Sequence, residues 1–551
     1  MKRKNNLAFL IAFFLLIAPG MIQAQQSKLY PTAPMESFYD LQFTDAERDS
    51  LMDNLKRHME SYKEIHAYPL QNSTSPALLF NPLPYGFVVN EKQNPVNWNL
   101  PKEVPLPTHR EELAFYPVSK LSVLLKNRKI TSTELTTLYI NRIKKYGDTL
   151  QCVISLLEEM ALAQAKKADA EITAGKYRGP LHGIPYGIKD LIAVEGTKTT
   201  WGAAPYKDQE IQSTATVVKK LEAAGAVLVV KLTMGALAWG DIWYGGITKN
   251  PWNLRQGSSG SSAGSAAATA AGLVAFTIGT ETLGSIVSPS TRCGVTGLRP
   301  TFGRVSRHGA MALCWSMDKI GPICRSALDC AIVVDVIRGS DGFDKTVQNA
   351  AFNYNGAADI KKLKVGFVKS QFESKYANRS RDSISLVVLR SLGISLTPVD
   401  LPHEIPVNSL QFILGAEAAA AFDELTRSNR DSLLTVQRKQ AWPNVFRSGR
   451  FIPAVEYINA NRLRQQLIEE YHQFTKDFDV IVAPSFGGNQ LLMTNLTGHP
   501  CLVMPNGFNE QGGPTSISFL GRLFGEAELI MLGRAFQDAT DWDERKPELF
   551  K

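Results

Sequence analysis

Residues 255–303 read RQGSSGSSAGSAAATAAGLVAFTIGTETLGSIVSPSTRCGVTGLRPTFG, and glycine, serine and alanine crowd the first third of this stretch. A flexible linker can have such a composition. A linker, however, does not run directly into an alanine-rich helix (265–271) and then an apolar strand. Glycines and hydroxyls packed this closely favour a site where backbone N–H groups approach a ligand.

One motif in this stretch is G-x-S-x-G at 260–264, which is typical of α/β-hydrolase-type esterases with the middle serine as nucleophile. That motif needs a strand directly before it. Residues 250–259 include Pro251 and several polar residues and predict no strand. The esterase interpretation stays as an alternative, with a histidine such as His308, His403, His472 or His499 as its base.

Elsewhere, short apolar runs alternate with helical patterns. The predicted strands are 226–230, 273–278, 365–368 and 480–483, and the predicted helices are 158–174, 216–224 and 327–337 together with one that follows a capping box at 131–134. Uninterrupted apolar strands separated by helices indicate a sheet covered on both faces, which is an α/β fold.

The composition is globular, with 551 residues, of which 44% are hydrophobic and 20% charged. Such a chain can bury a large core. Its net charge of +8 is too dilute to predict a nucleic-acid partner. The six cysteines form no C-x-x-C pair and no histidine stands beside them at metal-ligand spacing, so we expect buried single thiols, no metal and no cofactor.

The N-terminus has the order of a secretory signal peptide. Lys2, Arg3 and Lys4 precede an apolar run at 7–18, and small residues lead to Ala24. Twelve apolar residues are too few to span a bilayer, so we expect cleavage after Ala24, no stable membrane anchor and a secreted or periplasmic mature protein. Residues 25–110 are predicted to form an N-terminal extension on a main domain at 111–551, in which about 375–475 form a variable helical insertion.

Further matches run along residues 113–547. They are GPLHGIPYGIKD at 179–190, the serine-glycine block, GSI at 284–286 with Pro289, CGVTGLRPT at 293–301, GP at 321–322 and TNLTGHP at 494–500. In this order the chain resembles the amidase signature family, whose members hydrolyse amides through a Ser–cisSer–Lys triad. The resemblance implies a single large α/β domain whose mixed, mostly parallel central sheet has helices on both faces.

The resemblance also assigns the site. It implies Lys189 as the base, Ser261 after a cis peptide bond as the bridging serine, and Ser285 as the nucleophile. Ser285 follows Ser261 by 24 positions, which is the family's usual separation. The backbone N–H groups of Thr282, Leu283, Gly284 and Ser285 become the candidate oxyanion hole, and Ser262 and Val287 the candidates for the substrate pocket.

This assignment is chemically consistent. A serine hydroxyl is a weak nucleophile until a base removes its proton, and a lysine is a base only as the neutral amine. Burial lowers the pKa of a lysine because it disfavours the charged form. Ser261 can relay the proton, since one hydroxyl can accept one hydrogen bond and donate another.

Three residues depart from the usual family pattern: Glu281 replaces Asp, Leu283 replaces Gly and Val287 replaces Arg. Leu283 raises a question of backbone geometry, because glycine tolerates conformations that leucine avoids. Val287 offers no charge to a substrate carboxylate, which favours neutral or apolar acyl groups. The sequence Thr280-Glu281-Thr282 is similar to that of bacterial peptide amidases.

The sequence therefore predicts an exported amidase that acts on a small-molecule or peptide amide through an acyl-enzyme. One alternative is a protein like the A-subunit of the tRNA-dependent amidotransferase, which acts with partner subunits on glutamine or charged tRNA. The predicted signal peptide argues against that alternative, because charged tRNA is cytoplasmic. Neither the natural amide nor the oligomeric state can be read from the sequence.

Overall fold

The computed structural model of the chain describes residues 30–67 and 70–551. The chain divides into two compact units, Met1–Leu70 and Gln71–Lys551. The predicted signal peptide lies outside the described residues. In the described part of the first unit, helices span α1 (Ala33–Glu36) and α2 (Asp45–His66), and α2 begins with a capping box between Thr44 and Glu47.

Helices of the larger unit are α3 (Val118–Lys126), α4 (Ser132–Leu150), α5 (Glu158–Thr173), α6 (Thr216–Ala223), α7 (Ala263–Ala270), α8 (Val287–Cys293), α9 (Ala327–Ile337), α10 (Lys369–Glu373), α11 (Arg379–Ser391), α12 (Phe412–Ala421), α13 (Asp423–Arg427), α14 (Trp442–Gly449), α15 (Ala454–Thr475), α16 (Gln490–Thr497) and α17 (Glu526–Asp538). The predicted capping box is present, since Thr131 accepts from the Glu134 N–H and Glu134 accepts in return. It satisfies two donors at the start of α4.

Strands of the larger unit are β1 (Val153–Leu156), β2 (Pro185–Lys189), β3 (Val227–Leu232), β4 (Ile242–Trp243), β5 (Gly246–Ile247), β6 (Lys249–Asn250), β7 (Asn253–Gly257), β8 (Phe276–Glu281), β9 (Thr296–Arg299), β10 (Lys319–Cys324), β11 (Val365–Val368), β12 (Leu396–Val399), β13 (Val480–Pro484), β14 (Cys501–Phe508) and β15 (Pro514–Gly521). Eleven of them form one sheet in the order β1-β3-β2-β8-β10-β9-β14-β15-β13-β11-β12. The predicted α/β fold is confirmed.

The sheet is mixed, as expected. Parallel pairing occurs in two blocks, β3–β2–β8 and β11 with its neighbours β12 and β13, whereas the other six neighbouring pairs are antiparallel. The prediction of a mostly parallel sheet therefore holds within those two blocks but not across the rest of the sheet. The apolar runs indicate strands that are buried on both faces. Such burial does not depend on strand direction, so the runs do not predict whether neighbouring strands are parallel.

Two segments differ from the sequence prediction. Residues 71–110, expected in the extension, belong to the larger unit, where Asn97 bridges to Asn355 and Gln93 bonds the backbone of Phe352. The stretch at about 375–475 is largely helical but also supplies β12 to the sheet edge. An edge strand is only half-buried and therefore lacks a strong apolar run.

All six cysteines are buried and free, as expected. Within residues 30–67 and 70–551, no helix has both the length and the apolar character that crossing a membrane requires.

Candidate active site

Lys189 ends β2, which lies inside the sheet between β3 and β8. Its side chain is fully buried. The Lys189 Nζ lies 2.7 Å from Ser261 Oγ, 2.9 Å from Thr280 Oγ1 and 3.4 Å from the Thr280 carbonyl oxygen. Burial lowers the pKa of Lys189 to about 7, although the charges of Asp318 and Glu281 act in the opposite direction.

A second buried lysine on the neighbouring strand makes a useful comparison. Lys231 of β3 pairs with the Asp190 carboxylate at 3.1 Å, and both side chains are completely buried. Lys189 has only hydroxyl and carbonyl oxygens within hydrogen-bond distance. The charge of Lys231 is therefore compensated by a carboxylate, whereas Lys189 has no carboxylate partner.

The serine-glycine block lies directly before α7. The peptide bond between Gly260 and Ser261 is cis, and Ser261 is buried. Ser262 is fully buried and bonds the Thr280 backbone through its hydroxyl, donating to the carbonyl at 3.0 Å and accepting from the N–H at 3.2 Å. Ser262 was predicted to line the substrate pocket, but it fastens the block to β8 instead.

The residues before this block do contain a strand, contrary to the sequence prediction. β7 pairs only with β6, in a small hairpin apart from the large sheet. Its exposed, polar sequence explains why no strand was predicted. With the Ser262 hydroxyl committed to the Thr280 backbone, the arrangement does not match an exposed nucleophile at the end of a sheet strand.

Ser285 lies in the turn between β8 and α8 and is 7% exposed. Its carbonyl oxygen accepts from the Ser262 N–H at 3.2 Å, which brings the turn against the serine-glycine block. Gly284 takes the left-handed conformation (φ +80°), while Leu283 has a negative φ. Leu283 therefore occupies a position where the family usually has Gly without taking an unfavourable backbone conformation.

Backbone donors of this turn are available to a ligand. No acceptor among the described residues takes the N–H of Leu283, Gly284 or Ser285. Consecutive unpaired N–H groups beside a serine hydroxyl are the arrangement that stabilises an oxyanion. None of the four predicted oxyanion-hole donors, the N–H of Thr282 included, has an acceptor among the described residues.

Glu281 holds the same turn from the other face of β8. One carboxylate oxygen accepts from the N–H groups of Ile286 (2.8 Å) and Val287 (3.0 Å), and the other accepts from Arg299 (2.8 Å) and Asn495 (2.9 Å). Burial alone raises the pKa of Glu281, but the charge and hydrogen bonds of Arg299 prevail and lower that pKa to about 2. The carboxylate is therefore ionised at neutral pH.

Val287 does not line a pocket. It is fully buried in an apolar cluster with Ile481, Cys501 and Val503, because the first turn of α8 directs it toward the sheet. The expectation that Val287 contacts substrate is therefore wrong, and with it the argument that Val287 selects neutral acyl groups.

A cavity of about 1010 Å³ extends from the end of β8. Its lining includes Thr280 and Thr282 but none of Lys189, Ser261 and Ser285. Asp318 also lines it and accepts from the Thr282 hydroxyl at 2.6 Å. Burial raises the pKa of Asp318.

Sequence reasoning missed Thr280, Asp318 and the partners of Glu281. Arg299 and Asn495 stand in two of the matching stretches, so the resemblance could have marked them as structurally important. Thr280 precedes Ser285 by five residues, and only the register of β8 beside β2 shows that its side chain reaches Lys189.

The family model for amidases matches residues 134–492. The chain belongs to the amidase signature family. The A-subunit of the glutamyl-tRNA(Gln) amidotransferase from Roseiflexus sp. (strain RS-1) is 35% identical over 473 residues, which cover 77% of this chain and 96% of the relative. Its counterpart from Chloroflexus aurantiacus is 35% identical over 486 residues, which cover 80% and 99%.

Solved structures of the family are also similar. The native peptide amidase from Stenotrophomonas maltophilia has a TM-score of 0.68 and 26% identity, and the match covers 79% of this amidase and 99% of that protein. The amidase fold described above is therefore shared with a protein of known structure.

Glu281→Gln tests whether the carboxylate secures the turn. The folded pKa of Glu281, about 2, lies below its ordinary 4.5, so its contribution to stability is present above pH 4.5 and is lost as the pH falls toward 2. The variant should melt at a lower temperature than wild type at pH 7, and the difference should shrink toward pH 3. Thermal unfolding across this pH range measures both effects.

Glu111→Gln is the matched control. Glu111 pairs with Arg142 at 3.3 Å, but its side chain is 69% exposed, so this change should have little effect. A Glu281→Gln protein as stable as wild type at pH 7 would contradict the role given to this carboxylate.

Proposed function

We propose that this amidase hydrolyses the C–N bond of an amide with Ser285 as nucleophile, Ser261 as proton relay and Lys189 as base. The observation that carries the proposal is the environment of the Lys189 Nζ, which is buried, lies 2.7 Å from Ser261 Oγ and has no carboxylate bonded to it. A lysine in these surroundings is readily neutral, and a neutral amine can accept a proton.

The three contacts of the Nζ suit the neutral form. A neutral amine has two N–H donors and one lone pair. The Thr280 hydroxyl and carbonyl oxygens accept the two N–H groups, which directs the lone pair at the Ser261 hydroxyl. Thr280 is therefore a positioning residue for the base.

The reaction follows from this arrangement. The Ser285 oxygen bonds to the amide carbon while its proton passes through Ser261 to Lys189. The N–H groups of the turn at 283–285 stabilise the oxyanion. Collapse breaks the C–N bond, the proton returns to the leaving nitrogen, and water then releases the acid from Ser285 by the same route. No step requires a metal or a cofactor.

The proposed substrate is a small-molecule or peptide amide, and the proposed location is outside the cytoplasm after cleavage of residues 1–24. A second candidate is supported by the relatives, several of which are A-subunits of a glutamyl-tRNA(Gln) amidotransferase. In that function the same triad releases ammonia from glutamine, and partner subunits use it on charged tRNA. The two candidates share their chemistry and differ in substrate, partners and compartment.

Ser285→Ala should reduce amide hydrolysis to the background rate, because the attacking oxygen is removed from a well-packed turn. Ser288→Ala is the matched control, three residues further along, and should retain activity within about twofold. Ammonia release from a panel of primary amides measures both. Near-normal activity of Ser285→Ala, with loss of activity in Ser262→Ala, would instead favour the esterase-type interpretation.

The pH dependence of kcat/KM tests the base. Lys189 must be neutral to accept a proton, and its pKa is lowered to about 7, so activity should rise with pH through about 7 and level off above it. Steady-state rates between pH 5 and 9 measure the profile, and a chelator should not change it. A rate that falls across this range would rule out a neutral lysine base.

The location and partner requirement separate the two candidates. The amide hydrolase should be recovered outside the cytoplasm with a mature N-terminus at Gln25, and it should act alone. Cell fractionation, N-terminal sequencing and assays of glutamine against other amides measure this. An intact N-terminus in the cytoplasm, with hydrolysis confined to glutamine, would select the amidotransferase candidate.

A further inference from the structure

The cavity beside β8 has a wall that the family model does not match. Eight of the ten residues in the segment 72–81 line the cavity, all except Thr74 and Ala77. This segment precedes the matched range 134–492. A segment outside the matched range therefore shapes part of the space next to β8. We call residues 72–81 the wall segment.

The wall segment is fastened at both ends. The Asn72 side chain donates to the Ala312 carbonyl at 2.9 Å and accepts from the Ala312 N–H at 2.8 Å, as a paired strand does. The Phe80 ring packs edge-on against Phe302, with centroids 5.0 Å apart, and the Arg464 guanidinium lies 3.6 Å from its centroid. Residues 73–79 thus cross the cavity between two fixed points.

Apolar side chains near the cavity are left uncovered. Leu78 and Leu79 of the wall segment are 83% and 44% exposed, and Ile458 of α15 is 54% exposed. All three line the cavity, together with Pro76 and Met311. Large apolar side chains grouped around a cavity indicate a surface that an apolar ligand covers.

Three charged side chains of the cavity lining, Arg464, Glu417 and Arg307, already have hydrogen-bond or ionic partners. Arg464 donates to Ser316 Oγ and to its carbonyl oxygen, both at 2.8 Å. Glu417 accepts from the Ser316 N–H at 2.9 Å and from the Tyr457 hydroxyl at 2.9 Å. Arg307 pairs with Asp344. These groups offer little to a charged substrate.

The volume exceeds what a small amide needs. At about 1010 Å³ the cavity reaches the upper end of the range, roughly 300–1,000 Å³, that is typical of ligand pockets. A glutamine-sized molecule leaves most of it empty. The cavity lies beside the site, since its lining includes Thr282 and Thr280, whose hydroxyl lies 2.9 Å from the Lys189 Nζ.

We propose that the wall segment determines specificity and selects amides that carry a large apolar group, held between Leu78, Leu79 and Ile458. This inference rests on the proposed amide hydrolysis and specifies its substrate class. We expect a butyl or shorter amide to fall short of these side chains and a longer chain to bury additional methylene groups against them.

The test compares chain lengths on each side of the amide bond. Wild type is assayed with butyramide and octanamide, and with N-butyl- and N-octylacetamide, by release of ammonia or amine. In at least one pair, kcat/KM should be about tenfold or more higher for the octyl compound. Leu79→Trp, which adds a bulky ring to the wall segment where the apolar group is held, should abolish that preference and leave the butyl compound within about twofold.

Leu433→Trp is the matched control, since Leu433 is 56% exposed and lies away from the cavity. It should retain the preference. Leu79→Ser provides a second variant without added bulk, and it should raise KM for the preferred octyl compound with little change in kcat. Equal kcat/KM for butyl and octyl compounds in both pairs, or equal loss of both in Leu79→Trp, overturns the inference. Wild-type activity no higher than that of Ser285→Ala on all four compounds instead contradicts the proposed function.

Discussion

Burying a lysine without a countercharge is the constraint on which the site depends. Desolvation makes the ammonium form of Lys189 costly, and the Ser261 hydroxyl and the two Thr280 oxygens satisfy the neutral amine. The neighbouring Lys231 shows the other solution, a buried ion pair with Asp190. Adjacent strands of one sheet thus hold two buried lysines, one paired with a carboxylate and the other bonded only to hydroxyl and carbonyl oxygens.

The alternation of side chains along β8 connects the proposed base, Lys189, with the turn that carries the proposed nucleophile, Ser285. Successive residues of a strand face opposite sides of a sheet. Thr280 accordingly faces Lys189, whereas Glu281 faces Arg299 and Asn495 and holds the N–H groups that follow Ser285. Glu281, which stands where the family usually has Asp, reaches these donors and gives the turn ionic support.

Features with a strong local signal could be predicted from the sequence. The helix 327–337 and the strand 365–368 match α9 and β11, because each is a buried apolar run of the right length. The motif spacing placed Lys189, Ser261 and Ser285 in one region. Side-chain direction in turns could not be predicted, so Ser262 and Val287 were assigned to a pocket although packing directs both inward. The start of β8 was placed early because Leu273 and Val274 are as apolar and as buried as the strand itself.

The strands that carry the candidate triad lie inside the range that the family model matches, whereas the wall segment lies outside it. Sequence similarity alone therefore does not decide the substrate. The matched range holds nine of the eleven strands of the large sheet, the triad candidates and the free N–H groups of the turn. Relatives with different names therefore share this part, and 35% identity to amidotransferase subunits does not by itself fix the substrate. Substrate choice depends on which groups surround the scissile bond. Residues 72–81 supply part of the cavity surface beside β8 from outside the matched range, so the family match by itself does not describe that part of the surface.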